Sequence, residues 1–297
     1  MIRIGSICSG MGMALHGLGT TAWGIEYDSE IAAIYSKNHK GIIINDYVEN
    51  VTPKTLEDVD CIIATPSCIR ASVANPKGKE SFEDKSVAEA IVNILKVKLP
   101  QFFILENVEG YKNFESFEII RAYLTTLGYH VICQNLNLKD FGIAQSRKRM
   151  YLYAAKSPFT HVVPPLQYTG WYKAVKDIIP SLPDTSLVKY QLNTPNTLVR
   201  RVGANKSNNR VYEKHEPCFT IRAFGRKADN HWHQADIVGT DYIKAVTPRA
   251  CLRFFGDKKT ADSIWLPNRN ALAMEVVGNG ASWKIMQILL KQMMVGN

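Results

Sequence analysis

The chain has 297 residues, of which 46% are hydrophobic and 21% charged, as is typical of a globular protein with a substantial core. No run of about 18 apolar residues predicts a membrane span, and no signal-peptide pattern opens the sequence, so we expect a cytoplasmic protein without a membrane partner. The six cysteines are scattered without a Cys-x-x-Cys pair, which argues against zinc-thiolate and disulfide-framework proteins, and we expect no metal.

Short apolar runs alternate with helical patterns over residues 1–156. Apolar rather than alternating runs are typical of strands that are covered on both faces. The alternation predicts an α/β fold with a Rossmann-like, doubly wound, mostly parallel sheet. The predicted strands are residues 2–7, 22–26, 41–44, 60–65, 101–106, 130–135 and 149–154, and the predicted helices are 86–98 and 114–127.

The composition of the sequence changes after residue 156, where prolines and small polar residues interrupt the hydrophobic periodicity. This change predicts a second, smaller and loop-rich domain over residues 157–245. Regularity returns at 247–255, and an apolar helix is predicted over 281–294. We expect residues 246–297 to return to the first domain.

Three features of the first domain are typical of an adenosine-binding site. A glycine-rich turn containing Gly10 and Gly12 follows the first strand, where a ligand can approach the backbone closely. Glu26 ends the second strand and can accept hydrogen bonds from both ribose hydroxyls, and Tyr27 can stack on a purine. Asp46 follows the third strand and can accept from an amino group.

Candidate catalytic groups follow the next strands. Cys68 comes just after the fourth strand, at the ligand edge of a parallel sheet, where a thiol can become a nucleophile. A lone cysteine is more often a small buried hydrophobic residue. Glu106 ends the fifth strand, and Arg147 and Arg149 stand at alternate positions of an extended segment, so that both can point to one side.

The order of these motifs resembles that of the DNA cytosine-5 methyltransferases. The resemblance covers residues 1–155 and 245–297 motif by motif, and 156–240 by position alone. It is carried by the glycine turn, Glu26-Tyr27-Asp28, Asp46, Pro66-Ser67-Cys68, Glu106-Asn107-Val108, Gln145-Ser146-Arg147-Lys148-Arg149, Thr247-Pro248-Arg249 and Gly278-Asn279-Gly280.

The resemblance implies a class I fold that binds S-adenosyl-L-methionine and releases S-adenosyl-L-homocysteine. Cys68 is implied to attack carbon 6 of a cytosine flipped out of the DNA stack, with Glu106 at ring nitrogen 3. Arg149 is implied to hold the carbonyl oxygen at position 2, and Arg147 to brace the nucleophile loop. The implied cofactor-binding residues are Cys8, Ser9, Gly10, Met11, Gly12, Glu26, Tyr27, Asp46, Tyr47, Pro66 and Asn279.

Three residues depart from the family pattern close to the expected site. Ser67 and Ile69 flank the cysteine where the family usually has proline and glutamine, and Cys8 stands where it usually has phenylalanine. Serine in place of proline loosens the backbone before the nucleophile, because proline fixes φ.

The net charge of +9 is concentrated in residues 200–227, where eight basic residues are accompanied by two acids and interleaved with aromatic residues. Such a patch is typical of a polyanion-binding surface, although a solvated loop has the same composition. Together with the resemblance, the basic patch predicts that the partner is double-stranded DNA. We also expect a monomeric, nucleoid-associated enzyme that belongs to a restriction-modification system. The predicted nucleic-acid-binding residues are Arg200, Arg201, Lys206, Arg210, Arg222, Arg226 and Lys227.

Three other functions stay open at this point. The same chemistry can act on RNA, whose single-stranded loops expose cytosine without opening of a duplex. The altered segment from Pro66 to Ile69 is compatible with an inactive homologue kept for nucleic-acid binding. A methyltransferase acting on small molecules needs the adenosine-binding set, but it does not need the cysteine, the glutamate and the paired arginines.

Overall fold

The computed structural model describes residues 1–71, 78–185, 196–200, 210–223 and 234–295. The chain divides into two compact units, which are described separately below. Unit 1 comprises Met1–Leu136, Lys148–Val163 and Gly280–Asn297, and unit 2 comprises Asn137–Arg147 and Pro164–Asn279.

Unit 1 is built on a seven-stranded sheet with the strand order β3-β2-β1-β4-β5-β7-β6. The strands from β3 to β5 in this order are parallel, and β7 is antiparallel to β5. The strand bounds are β1 Arg3–Ile7, β2 Thr20–Ile25, β3 Ile42–Ile44, β4 Cys61–Ala64, β5 Phe102–Asn107, β6 His130–Asn137 and β7 Lys148–Ala155.

Eight α-helices accompany the strands in the described part of the chain. Those of unit 1 bury apolar faces, because their apolar residues recur at helical spacing and the sheet offers them an apolar surface. Their bounds are α1 Ser29–Asn38, α2 Phe82–Lys98, α3 Glu115–Thr126, α4 Trp171–Val175, α5 Pro248–Leu252, α6 Lys258–Ser263, α7 Asn270–Asn279 and α8 Trp283–Met294.

The start of α2 is fixed by a capping box. The Ser81 hydroxyl accepts a hydrogen bond from the Asp84 N–H at 3.3 Å, and the Asp84 carboxylate accepts one from the Ser81 N–H at 2.8 Å. Such reciprocal bonds satisfy amide groups that a helix end otherwise leaves open. The helix therefore begins at Phe82, four residues before the predicted start at residue 86.

Unit 2 contains a four-stranded antiparallel sheet with the order β11-β10-β8-β9. Its strands are three or four residues long, which explains why the sequence showed no periodicity here. Their bounds are β8 Thr197–Arg200, β9 Arg210–Tyr212, β10 Ala235–Val238 and β11 Ile243–Ala245.

The predicted fold class is confirmed: the large sheet is mostly parallel, and a second, smaller antiparallel sheet is present. The predicted domain boundaries at residues 156 and 245 stay a prediction, and the compact units divide the chain at other points. Residues 246–279 lie in unit 2, whereas 280–297 lie in unit 1. Within the described ranges, no helix combines the length and apolar character that a bilayer crossing requires.

Candidate active site

The register of the large sheet brings the ends of β3, β2, β1 and β4 level with Leu105, which is two residues before the end of β5. Ile44 pairs with Ile25, Ile25 with Ile7, Ile7 with Ala64, and Ala64 with Leu105. The carboxyl ends of parallel strands form the ligand edge of such a sheet. The next residue along each strand therefore lies at this edge, and these residues are Asn45, Glu26, Cys8, Thr65 and Glu106, the last of which is still within β5.

The glycine-rich turn after β1 is held by the strand beside it. The Ser9 hydroxyl donates to the Ser6 carbonyl and accepts from the Ile25 N–H, both at 3.0 Å. Gly12 has φ 78° and its carbonyl lies 2.9 Å from Nε2 of His39. A Cβ on Gly12 would collide with the His39 ring, whereas a Cβ on Gly10 would have no atom within 4 Å. The turn therefore needs glycine at 12 and leaves open space at 10.

Glu26 links the glycine turn to α1. Its carboxylate accepts hydrogen bonds from the Gly10 N–H at 2.9 Å and from the Asp28 N–H at 3.0 Å. The side chain is buried, and burial raises the pKa of this carboxyl although the backbone hydrogen bonds oppose the shift. A carboxylate fixed in this way can also accept hydroxyl groups of a ribose.

Two tyrosines form an exposed aromatic surface at the same edge. The Tyr27 and Tyr47 rings are stacked, with centroids 5.2 Å apart and planes at 15°, and both are more than half exposed. The Asn45 amide donates to the carbonyls of Glu26 and Tyr27 and so fixes the backbone beneath one ring. Asp46 accepts from the Tyr47 N–H and from the Asn50 amide, both at 2.7 Å.

Cys8 lies between the glycine turn and the end of β4. It is half-buried, with φ 52°, in the left-handed region that non-glycine residues seldom adopt. Burial raises the pKa of its thiol to about 12, and the charge of Glu26 adds to the shift. The Thr65 hydroxyl donates to the Cys8 carbonyl at 2.8 Å. Cys8 is therefore a neutral part of the wall of this site.

The segment Pro66–Ile69 leaves the sheet beside Glu106. Pro66 is buried, Cys68 is half-buried, and Ser67 and Ile69 are exposed, with 71% of Ile69 accessible. The Asn107 amide, at the end of β5, donates to the Pro66 carbonyl at 3.1 Å. The backbone two residues before Cys68 is thus tied to the strand that carries Glu106.

Glu106 forms a buried ion pair with Arg149, whose Nε lies 3.2 Å from Glu106 Oε1. The register explains the pair. Glu106 is directly opposite Tyr151 in the antiparallel β5–β7 ladder, and Arg149 is two residues from Tyr151 on the same face. The two side chains are 8% and 14% exposed, so the carboxylate is held in place and largely withdrawn from water.

Arg147 lies in unit 2, although it is only two positions before Arg149. Its guanidinium donates to the carbonyls of Ile221 at 2.8 Å and Gly278 at 3.2 Å, and it lies over the Phe255 ring. Asn279, the last residue of α7, is also in unit 2. Met11, by contrast, is buried in the glycine turn of unit 1.

The described basic residues of the 200–227 segment lie on the small sheet of unit 2 or close to it. Arg200 and Arg210 are cross-strand partners in the β8–β9 pair. Each lies over an aromatic ring at about 5 Å, Arg200 over Phe219 and Arg210 over Tyr212. Burial lowers the pKa of Arg222, and the nearby charge of Arg200 lowers it further. Arg201, Lys206, Arg226 and Lys227 lie outside the described residues.

Three residues at the ligand edge were not among the predicted site residues. Thr65 and Asn45 support neighbouring backbone, and no sequence pattern marks them. Asn107 was present in the Glu-Asn-Val motif, which could have identified it as the residue that holds Pro66. Within the described ranges, no three histidine, cysteine, aspartate or glutamate side chains are grouped to hold a metal ion.

Comparisons with known proteins identify relatives that match most of the chain. Two bacterial relatives are the type II methyltransferase M.Bsp6I of a Bacillus species, 29% identical over 86% of this chain and 87% of its own, and M.FnuDI of Fusobacterium nucleatum, 31% identical over 69% and 65%. A DNA modification methyltransferase encoded within an Escherichia coli prophage has the same fold, with a TM-score of 0.70 at 14% identity over 100% of this chain and 99% of its own.

The sequence model described as C-5 cytosine-specific DNA methylase matches residues 2–294, nearly the whole chain. The motifs that suggested the resemblance all fall within this match, and the predicted resemblance is confirmed. The chain therefore belongs to the C-5 cytosine-specific DNA methylase family and is a methyltransferase that acts on carbon 5 of cytosine in DNA.

Proposed function

We propose that this enzyme methylates cytosine in double-stranded DNA through a covalent bond to Cys68, with S-adenosyl-L-methionine as the methyl donor. The observation that supports the proposal most strongly is the register of the large sheet. The glycine turn, Glu26, the segment leading to Cys68, and Glu106 lie along one edge of that sheet. The residues proposed as nucleophile, proton-handling carboxylate and nucleoside site thus share one edge.

The chemistry follows from the need to make carbon 5 of cytosine nucleophilic. The Cys68 thiolate forms a bond to carbon 6, and the electron density displaced from the ring becomes available at carbon 5. Glu106 shares a proton with ring nitrogen 3 and offsets the charge that develops there. After methyl transfer, a base removes the proton from carbon 5, the sulfur–carbon 6 bond breaks, and the Cys68 thiolate is released.

Arg149 has two functions in this proposal. Its ion pair fixes the Glu106 carboxylate in the orientation that faces the base. The guanidinium carries further N–H groups, and one of them can donate to the cytosine carbonyl at position 2. Arg147 is proposed to brace the nucleophile loop, as the resemblance implies.

The residues at the cofactor edge fit S-adenosyl-L-methionine. The open space at Gly10 lets a ligand approach the backbone closely. The buried Glu26 carboxylate can accept hydrogen bonds from a ribose, and the exposed tyrosine pair can stack on a purine. When bound, the cofactor supplies an electrophilic methyl group on a sulfonium. Cys8, Ser9, Met11, Gly12, Asp46, Pro66 and Asn279 complete the proposed set of binding residues.

DNA binding is assigned to the basic residues of unit 2. Arg200, Arg210 and Arg222 concentrate positive charge near the small sheet, and phosphates are the partners that such charge recognises. Extrusion of a paired cytosine costs a few kcal/mol, which contacts to the DNA backbone offset. Arg201, Lys206, Arg226 and Lys227 belong to the same proposal, as do a monomeric state and a cytoplasmic, nucleoid-associated location.

The test is a trapping experiment with duplex DNA that contains 5-fluorocytosine and S-adenosylmethionine labelled in its methyl group. Fluorine at carbon 5 blocks the last proton loss, so the proposal predicts a labelled protein–DNA complex that survives denaturation. The complex must be absent with Cys68→Ala, and Cys133→Ala is the control because Cys133 is an exposed thiol on the edge strand β6. A complex that forms equally well with Cys68→Ala would contradict the assignment of the nucleophile.

The same experiment separates the other functions. Trapping on fluorinated RNA but not on DNA would assign the enzyme to RNA. Absence of trapping on either polymer, with cofactor binding retained, would favour an inactive homologue. Ser67 and Ile69 would then be the first candidates for the cause of the inactivity. Restoring Ser67→Pro and Ile69→Gln in that protein would then test whether these two residues are the cause.

A further inference from the structure

The nucleophile segment, Pro66–Ala71, is anchored on the side that follows Cys68 as well as on the side that precedes it. Before the cysteine, Asn107 holds the Pro66 carbonyl. After it, the backbone at Ala71 lies so close to Gly110 that a Cβ on the glycine would collide with the Ala71 carbonyl. Arg70 lies between Cys68 and this close approach, and its side chain makes a third connection.

Arg70 is bound to the first turn of α2. Its Nη1 lies 2.6 Å from the Ser81 hydroxyl and 3.3 Å from Asp84 Oδ2, and its Nη2 lies 3.7 Å from Glu83 Oε2. Ser81 and Asp84 are the two members of the capping box that begins the helix. The arginine therefore extends the capping box with a third side chain that comes from the nucleophile segment.

The helix α2, which Arg70 contacts, is firmly packed in unit 1. Six residues of α2 are buried, and all six belong to one hydrophobic core of unit 1. Glu80, just before the capping box, is fixed in turn, because its carboxylate accepts from the N–H groups of Glu115 at 2.8 Å and Ser116 at 2.7 Å at the start of α3. The position of Arg70 is thus tied to two helices of unit 1.

We propose that Arg70 is a positioning residue for Cys68, which holds the nucleophile segment in its reactive place through Ser81, Glu83 and Asp84. The proposal rests on the assignment of Cys68 as nucleophile. An arginine suits this role, because its planar group can bind a hydroxyl and two carboxylates at once. Arg70 is 43% exposed and its variants should fold, since the capping box and the buried face of α2 do not depend on it.

The contact is expected to change the rate of attack by Cys68 rather than the affinity for the cofactor. A partly exposed ion-pair network contributes modestly, and we expect Arg70→Ala to slow trapping of 5-fluorocytosine DNA about fivefold at saturating DNA. The dissociation constant of S-adenosylmethionine and the KM for DNA should stay within about twofold of wild type, because Arg70 has no predicted part in either site. Arg70→Lys should restore part of the rate, since it keeps the charge but not the planar group.

The matched control is Arg121→Ala. Arg121 is 44% exposed and pairs with Glu118 on α3, so it removes an equally exposed ion pair of the same unit. It should leave the trapping rate unchanged. A wild-type trapping rate in Arg70→Ala would overturn the proposal, and so would an increased KM for DNA with an unchanged rate at saturation, which would make Arg70 a DNA contact.

A second measurement tests the inference without any catalysis. The rate at which iodoacetamide alkylates Cys68, followed by peptide mass spectrometry, should rise at least about threefold in Arg70→Ala and stay unchanged in Arg121→Ala. An unchanged alkylation rate in Arg70→Ala would overturn the inference. Failure of wild-type protein to trap DNA, with the alkylation difference present, would instead contradict the proposed function alone.

Discussion

The ligand edge of the large sheet and the small sheet of unit 2 obtain their polar groups in different ways. At the ligand edge, the polar groups lie at or just after the ends of strands and are fixed by neighbours, as Glu106 is by Arg149 and Glu26 by two backbone N–H groups. On the small sheet, Arg200 and Arg210 face each other as like charges and rest on aromatic rings. Like charges directly opposite each other destabilise a strand pair.

This difference indicates that the two regions have different functions. The ligand edge provides fixed geometry, which a chemical step requires. The small sheet keeps concentrated positive charge at some cost to its own stability, which is useful where an anion binds. Changes at the first region should therefore alter the rate of the reaction, and changes at the second should alter how binding depends on salt.

The largest effect is expected from Glu106→Gln. The amide keeps the size of the side chain but cannot share a proton with the base in the same way, so kcat should fall by about 10²–10⁴-fold. Single-turnover methyl transfer at saturating DNA measures this loss, and the DNA dissociation constant should change little. Glu109→Gln, a nearby carboxylate outside the sheet, is the control. A kcat within threefold of wild type would place the proton-handling group elsewhere.

Gly12→Ala should weaken cofactor binding by about ten- to a hundredfold, because φ 78° and a collision with His39 together strain the turn by an expected 1–3 kcal/mol. Equilibrium titration with S-adenosylmethionine gives the change. Gly128→Ala is matched in φ, at 77°, but its Cβ has no atom within 4 Å, and it should lower Tm without affecting the titration. Equal cofactor affinities in both variants would show that the turn does not contact the cofactor.

Arg200→Ala should weaken DNA binding a few-fold at moderate salt and should reduce the slope of log K against log salt by about one, as expected for a lost phosphate contact. Binding is measured over a series of salt concentrations. The control is Lys96→Ala, which removes a cation that also lies over an aromatic ring, Tyr123, but on unit 1. If both variants change the slope equally, the DNA-binding surface is not confined to unit 2.

The smallest effect concerns acid stability of unit 2. The hydrogen bond from Lys258 lowers the pKa of Asp177 to about 2, with burial opposing and Arg253 adding to the shift. Because the folded pKa lies below the unfolded value of about 3.9, the stabilisation is present above pH 4 and is lost as pH falls from about 4 to 2.

Asp177→Asn should therefore lower Tm by about 1–2 °C at pH 7, with the difference disappearing near pH 2. Thermal unfolding across this range measures it. Asp184→Asn, at a more exposed pair with Lys244, should change Tm less at every pH. A Tm difference that is constant from pH 7 to pH 2 would contradict the role of the Asp177 charge.

The two regions also differ in how far the sequence predicts them. All seven strands of the large sheet were expected close to their observed bounds, because short segments rich in apolar residues between turn signals favour strands. The helices α1, α4, α6 and α7 and the strands β8–β11 were not predicted. The four strands are only three or four residues long and therefore show no periodicity. The edge residues predicted from motifs lie at or just after the ends of strands, which is why Glu26 and Glu106 were found.

Contacts between distant parts of the chain were beyond prediction from a single sequence. Thr65 reaches Cys8 across 57 positions, and Arg70 reaches the start of α2 across 11 or more. Spacing cannot reveal such pairs, because they depend on the register of the sheet and on where a helix begins. The separation of Arg147 from Arg149 between two compact units was likewise not visible in their alternate spacing.

The register of β7 against β5 also limits how this gene can change its length. Arg149 reaches Glu106 because it is two residues from Tyr151, and a shift of one residue would turn it to the opposite face. Loss or gain of one codon between Arg149 and Tyr151 is thus expected to be eliminated by selection.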